Sequence, residues 1–348
     1  MLAACTVSKE VIEFRELPVP EPADGEALVR IHHVTLCGTD LHIWEDDYAT
    51  DLPIIQGHEF AGVIEKLGGG ADGKWAVGDR VAVSPMFYCG DCYACGIGRV
   101  NACRRMSVYG CYEDGSLVEA MAIPVGKLCR IPDTVPMEIA PLCEPMSIAM
   151  QAVNRGRPVP GEKAVVLGCG PIGLLATLYL AELGIDVVAV DTVPERAGFS
   201  RTFGARDAWV IDPAVPFPSP AQEEALADLT AGSGPSLVIE ATGMPGSLEN
   251  ALVMVAAAGR VVTVGISDKV AALSMRTLPV KEVDLIGSRN SLNLIGESLE
   301  LLGRHPEQAA ALITHRFPFG ALAQAFDTMR DRTQMVGKVA IDMPGTSS

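Results

Sequence analysis

Apolar residues fall along the 348-residue chain in two different rhythms. Up to about residue 152 they form short β-like runs, "GEALVRIHHVTL" and "GDRVAVSPMF" among them, interrupted by glycine and proline. Such a composition predicts an irregular, partly barrel-like β domain. From roughly 153 to 290 continuous apolar runs alternate with helical patterns: "AVVLG" (164–168), "DVVAVD" (186–191), "SLVIEATG" (236–243), "GRVVTVGIS" (259–267) and "VDLIGSRNS" (283–291). Runs of this length, bounded by glycine and separated by helix-length stretches, predict a doubly wound α/β sheet of parallel strands. Residues 291–348 carry two helical apolar patterns and a final strand, and the Pro-rich segment 213–224, "PAVPFPSPAQEE", reads as a loop. No internal repeat or low-complexity tract is evident.

Composition narrows the class. A chain that is 49% hydrophobic over 348 residues is long enough for two domains with sizeable cores. The formal net charge of -16 argues against nucleic acid as a partner, because binding phosphates needs clustered Lys and Arg. The longest apolar stretch, around "AVVLGCGPIGLLATLYLAELG", is cut by Gly and Pro, so nothing supplies the ~20 continuous apolar residues that cross a bilayer. The start "MLAACTVSKE" places Lys9 and Glu10 directly behind a short apolar run, unlike a secretory signal. The expectation is a cytoplasmic protein.

That compartment bears on "CGDCYACGIGRVNAC", where Cys89, Cys92, Cys95 and Cys103 share fifteen residues. Disulfides and a metal compete as explanations, and cytosolic thiols stay reduced. Three thiolates spaced by two residues and a fourth eight residues on can close a tetrahedral zinc with no open position, which predicts a structural zinc. A redox dithiol would need only two of the four.

A second set of residues is dispersed. Cys37 in "TLCGTDLHIW" and His58 in "IIQGHEFAGVI" supply two of the three protein ligands expected at a catalytic zinc. For the third, "PLCEPMSIAM" offers Glu144, with Cys143 and Glu59 as rivals.

Gly168, Gly170 and Gly173 form a G-x-G-x-x-G that leads from an apolar strand into an apolar helix beginning at Pro171 and Ile172. The first glycine suits a tight turn, the second lets backbone approach a pyrophosphate, and the third lets helix and strand pack closely. A helix N-terminus then faces the phosphates with partial positive charge. "DVVAVD" ends in Asp191, near the ~20-residue spacing of a ribose-binding acid, which selects NAD by repelling a 2′-phosphate. Arg196 close by is either a solvated helix residue or a phosphate contact.

The CGTD turn, the GHE turn, the cysteine loop and the glycine fingerprint occur in one order over nearly the whole chain, and together they resemble the zinc-containing medium-chain dehydrogenase family. The "EP" at Glu144–Pro145 is similar to the family's polyol-type members, where simpler alcohol dehydrogenases use cysteine. The resemblance implies a GroES-like catalytic domain over 1–152 and 291–348, and a Rossmann NAD-binding domain over 153–290. It implies Cys37, His58 and Glu144 as catalytic zinc ligands, with Glu59 close to the metal and its ligand status open. Thr39 and His42 match the family's CGTD-x-H stretch, read as a proton relay, and Asp40 would orient His58. Gly265 joins the cofactor positions. The activity implied is NAD-linked oxidation of a hydroxyl, with one catalytic and one structural zinc, in a homodimer or homotetramer.

For the substrate, "GSRNS" (287–291) and "ITHRFPF" (313–319) resemble segments of dehydrogenases that oxidise a secondary hydroxyl of polyols and of sugar acids such as L-gulonate and L-galactonate. Arg289 is the candidate contact for a substrate carboxylate. L-Threonine 3-dehydrogenases share a similar CGTD-L-H stretch and are the alternative enzyme reading. A zinc- and NAD-binding protein without turnover is the alternative of another class.

Overall fold

The computed structural model describes residues 1–345 apart from 72, 216 and 332. The chain divides into two compact units, Met1–Ser147 with Leu292–Ser348, and Ile148–Ser291. The expected class, mixed α/β with a parallel sheet in one region and mainly β structure in the other, is what the chain forms.

The first unit is organised around one long strand. Glu26–Leu36 pairs antiparallel with Glu59–Leu67 on one side and with Lys338–Asp342 on the other, so segments distant in sequence become neighbours. The sheet runs in the order Leu128–Arg130, Arg80–Val83, Glu59–Leu67, Glu26–Leu36, Lys338–Asp342, Ile313–Pro318, with Ala120–Pro124 also pairing the long strand. Val29, Ile31, Val34, Phe60 and Ile64 are buried in its core. Alternating apolar residues of these strands cover one another, which is what fixes register in a sheet with a dry face. That register sets Thr35 opposite both Glu59 and Ala340, and Leu36 opposite Val339.

The second unit is a six-stranded parallel sheet in the order Asp207–Val210, Asp186–Asp191, Lys163–Leu167, Leu237–Glu240, Arg260–Thr263, Asp284–Gly287. The order reverses beside Lys163–Leu167, and in doubly wound sheets ligands bind outside the carboxyl ends of the strands at that point. The last three strands are shorter than their apolar patterns: each stops after four residues and the chain turns into a loop.

Two local expectations are corrected. Segment 213–224 is not loop throughout, because a helix, Pro220–Thr230, starts inside it. The Gln222 side chain accepts the Ser219 N–H at 2.9 Å and Ser219 Oγ accepts the Gln222 N–H at 3.4 Å. This reciprocal cap, with Pro220 at a position where its missing N–H costs nothing, overrides the Pro-rich composition. In the tail, three helices rather than two cover the apolar patterns, Ile295–Arg304, Pro306–Leu312 and Leu322–Arg330. Pro306 cannot donate to a preceding carbonyl and so ends one helix and begins the next.

Candidate metal and dinucleotide sites

Cys37 closes the long strand and begins the helix Gly38–Trp44. Asp40, fully buried, accepts the Cys37 N–H at 2.8 Å through Oδ2 and the Gly57 N–H at 3.2 Å through Oδ1. One carboxylate thereby ties together the turns that carry Cys37 and His58. Its Oδ1 lies 3.6 Å from His58 Nδ1, so the imidazole keeps its other nitrogen for a ligand role. Gln56, fully buried, donates to the Asp40 carbonyl at 2.7 Å and accepts from Thr6 at 2.5 Å, so its amide is satisfied inside the turn.

Ligand atoms of Cys37, His58 and Glu59 lie within 4.8 Å of one another. A thiolate, an imidazole and a carboxylate are the donor types zinc accepts, and the three fit a metal held by protein on one side. Glu144 stands in the first turn of the helix Cys143–Arg155, outside this group of three. Burial pushes its carboxyl up to about 7; Glu59 and Asp40 push the same way while His58 and Lys338 oppose. For His58, burial favours the neutral ring, but Asp40 and Cys111 outweigh it and raise the pKa. Thr39 Oγ1 is 3.8 Å from the Cys37 sulfur, while His42 is exposed and pairs with Asp47 at 2.8 Å. Cys143 is buried.

Three neighbours of this cluster escape sequence reasoning. Cys111 Sγ lies 3.7 Å from His58 Nδ1. Thr35 donates to Glu59 Oε2 at 2.5 Å, and Lys338 forms an ion pair with Glu59 Oε1. A lysine inside the apolar strand Lys338–Asp342 is the one signal available, since lysine is almost never fully buried unless paired.

The cysteine loop is a separate arrangement. The sulfur contacts are Cys89–Cys95 4.0 Å, Cys92–Cys95 3.5 Å, Cys92–Cys103 3.9 Å and Cys89–Cys103 3.4 Å. A tetrahedron with ~2.3 Å metal–sulfur bonds has edges of about 3.8 Å, whereas a disulfide needs ~2.05 Å. The four thiols therefore fit zinc. Backbone N–H groups of Cys89 and Arg105 each reach Cys103 Sγ at 3.3 Å. Similar amide donors pull the Cys92 thiol down to about 6 and lower Cys103 as well.

In the second unit Gly168 has φ +99°, and a Cβ there would sit 2.7 Å from Thr242. A Cβ on Gly173 would fall 1.8 Å from the Gly168 carbonyl oxygen, while one on Gly170 would meet nothing within 4 Å. The packing glycine and the open glycine are thus physically distinct. Pro171 opens the helix Pro171–Glu182, with Ile172 next, so the helix N-terminus faces that open space. Asp191 accepts the Cys169 N–H at 2.7 Å and the Val193 N–H at 2.9 Å. Gly168, Gly170, Asp191, Arg196 and Thr242 line a cavity of about 690 Å³. Gly265 approaches the loop after Glu240 so closely that a Cβ would lie 2.1 Å from the Gly243 nitrogen. Arg289 is exposed just beyond the strand Asp284–Gly287.

Residues 23–133 match the alcohol dehydrogenase GroES-like domain and residues 171–303 the zinc-binding dehydrogenase domain. The chain is 34% identical to the L-galactonate-5-dehydrogenase of Escherichia coli (strain K12) over 346 residues, 96% of this chain and 97% of that one. It is 32% identical to an L-threonine 3-dehydrogenase of Pyrococcus furiosus over 327 residues, 91% of this chain and 92% of the other. Among solved structures, an Escherichia coli CFT073 alcohol dehydrogenase complexed with NADH superimposes with a TM-score of 0.88 at 30% identity, covering 98% of this chain and 99% of that one.

Proposed function

The chain belongs to the zinc-type alcohol dehydrogenase family, and on that premise we propose that it oxidises a secondary hydroxyl of a sugar acid or polyol with NAD as hydride acceptor. The observation that carries this reading is the group of half-buried Cys37 with buried His58 and Glu59, one ligand atom from each lying within 4.8 Å of the others. When bound, zinc supplies a Lewis acid that acidifies the substrate hydroxyl, and NAD supplies the acceptor for the hydride.

The residues divide the remaining work. Cys37 and His58 hold the metal, with Glu59 and Glu144 as the carboxylates that approach it. Asp40 fixes both turns and keeps the His58 ring aligned. Thr39 and then His42, exposed beside Asp47, take the hydroxyl proton to solvent. With NAD+ as the acceptor, the overall conversion would take alcohol and NAD+ to ketone, NADH and one proton. The Gly168–Gly173 turn and the helix after it receive the pyrophosphate, Asp191 takes the adenosine ribose, and Arg196 borders that cavity. Arg289 binds the substrate carboxylate. Cys89, Cys92, Cys95 and Cys103 hold the second zinc.

The 34% identity to an L-galactonate dehydrogenase supports a sugar acid; the 32% identity to an L-threonine 3-dehydrogenase makes that amino acid the alternative. A homo-oligomer joined through the second unit fits the edge strand Asp284–Gly287, and Ile266, Val270 and Met275, in the segment that precedes it in sequence, are each more than 80% exposed. The deciding experiment is NADH formation by zinc-replete protein with aldonates, polyols and L-threonine, and NADP in parallel. Turnover of an aldonate or polyol with NAD supports the proposal, turnover of L-threonine alone replaces the substrate, and silence throughout supports a binding protein without turnover. An Arg289→Ala variant whose KM for an aldonate is unchanged removes the carboxylate contact.

A further inference from the structure

Residues 110–116 form a turn that lies directly on the one carrying His58. A Cβ on Gly110 would fall 2.6 Å from the Gly57 backbone, and one on Gly115 would fall 2.3 Å from the Gly57 carbonyl oxygen, so only glycine lets the two turns come this close. Hydrogen bonds then hold them together. The Gly115 N–H donates to the Ile55 carbonyl at 2.6 Å, the Ser116 N–H to the Gly57 carbonyl at 2.9 Å, and the Ile55 N–H to Asp114 Oδ1 at 2.9 Å. Cys111 Sγ consequently stands 3.7 Å from His58 Nδ1. Tyr112 is the next residue, and its hydroxyl is 3.2 Å from that of Tyr48, with ring centroids 6.1 Å apart. Tyr48 packs against Ile43, Ile54 and Cys111, and Thr50 donates to the Cys111 carbonyl. Two bonded phenols are thus fixed beside a metal-ligand turn while still reaching water, Tyr48 half-buried and Tyr112 exposed.

We infer that Tyr48 and Tyr112 are specificity-determining residues that bind hydroxyl groups of a polyhydroxylated chain beyond the carbon being oxidised. The inference rests on the proposed zinc- and NAD-dependent reaction and narrows its substrate to an alcohol with several further hydroxyls. A phenol offers one O–H donor and acceptor lone pairs. When two phenols bond each other, one O–H is spent between them, and the pair presents the other O–H with lone pairs on both oxygens. A sugar-chain hydroxyl is likewise donor and acceptor, so two neighbouring hydroxyls can each find a partner. The tyrosine rings add an apolar body for the carbon chain and leave only two torsions each to be fixed. Burial and the bond to Tyr112 raise the Tyr48 pKa, with Cys111 pushing the same way and His58 opposing, so the hydroxyl keeps its proton in neutral and mildly alkaline solution.

Tyr48→Phe and Tyr112→Phe, each zinc-replete, test this with L-galactonate, D-sorbitol and 2-butanol as probes and NAD as acceptor. 2-Butanol keeps a secondary hydroxyl and lacks every other. The native enzyme is expected to favour one of the polyhydroxylated probes over 2-butanol by ~100-fold or more in kcat/KM, since polar groups built to bond a hydroxyl reject the analogue without it. Each substitution should raise KM for the favoured probe about tenfold, the loss of one hydrogen bond, with kcat held within ~2-fold. A pair that merely braced the two turns would act through His58 instead, and its loss would lower kcat on every probe that is turned over. That outcome overturns the inference while leaving the proposed function standing, and so does KM unchanged in both variants or native enzyme that oxidises 2-butanol as well as the longer probes. Tyr112 is 44% exposed and Phe keeps its ring, so Tyr112→Phe decides the matter even if Tyr48→Phe fails to fold. Native protein that forms NADH with none of the three probes overturns the proposed function, and the inference falls with it.

Discussion

The first unit offers a metal two homes built on opposite principles. In the cysteine loop all four donors lie within fifteen residues, three of them half-exposed, and the sulfurs stand 3.4–4.0 Å apart. In the other cluster the donors come from a strand end, a turn and the first residue of another strand, and the lysine that pairs with Glu59 is 279 residues away in sequence. Four identical thiolates leave a metal no open position, so a loop with little core of its own can be held by the metal alone. Three different donors in a pre-built pocket leave room for a fourth ligand, and there the fold holds the metal rather than the reverse.

The largest test of that contrast compares a substitution in each. Zinc as a Lewis acid supplies several kcal/mol of transition-state stabilisation, and tenfold in rate is ~1.4 kcal/mol. His58→Ala should therefore lower kcat/KM about a thousandfold while the cysteine loop keeps its zinc. Cys103→Ser should do the opposite: the loop zinc is lost, the unfolding midpoint falls because metal-binding free energy is folding free energy, and turnover per folded molecule is retained. Metal analysis, thermal unfolding and kinetics on the same two proteins check both halves. A Cys103→Ser enzyme that is stable but inactive would erase the distinction.

The same contrast explains what the sequence could and could not reveal. The loop is legible because its geometry is local: spacing alone constrains which thiols can share an ion. The four inner parallel strands are legible for a similar reason, since burial on both faces makes each a continuous apolar run, whereas the edge strand Asp207–Val210, with no fully buried residue, carries no such run and is not among the strands expected. Cys37 and His58 stand out from their neighbours, but how they are joined does not. Thr35, Cys111 and Lys338 reach the cluster only through strand register and a turn closed by Asp40, and no local pattern encodes pairings that distant. The helix at Pro220 is hidden differently: its capping box lies within a proline-rich segment whose composition points to loop.

A smaller effect is expected at Asp40, which belongs to the second kind of site. Its two oxygens accept backbone N–H groups from the turns of Cys37 and Gly57. Asp40→Asn places an N–H against one of those donors and removes the charge beside His58, so a change of ~10–100-fold in metal affinity or activity is expected. The loop zinc should be untouched. Equal loss of both metals would mean that Asp40 serves the stability of the unit at large rather than the geometry of one cluster.

The smallest effect separates two carboxylate–cation pairs of similar chemistry. Arg105 pairs with Asp91 on the cysteine loop, but the two side chains are 58% and 68% exposed, against 5% and 1% for Lys338 and Glu59. In water such a pair is screened and its attraction is offset by the cost of ordering two side chains. Arg105→Ala should leave the unfolding midpoint and both zinc stoichiometries where they are, in low salt and high. Its backbone N–H, which donates to Cys103, survives the substitution, so the donors that favour thiolate remain. A drop in the midpoint that vanishes at high salt would show that surface charge helps close the loop. The four thiolates would then no longer suffice to explain why it is shut.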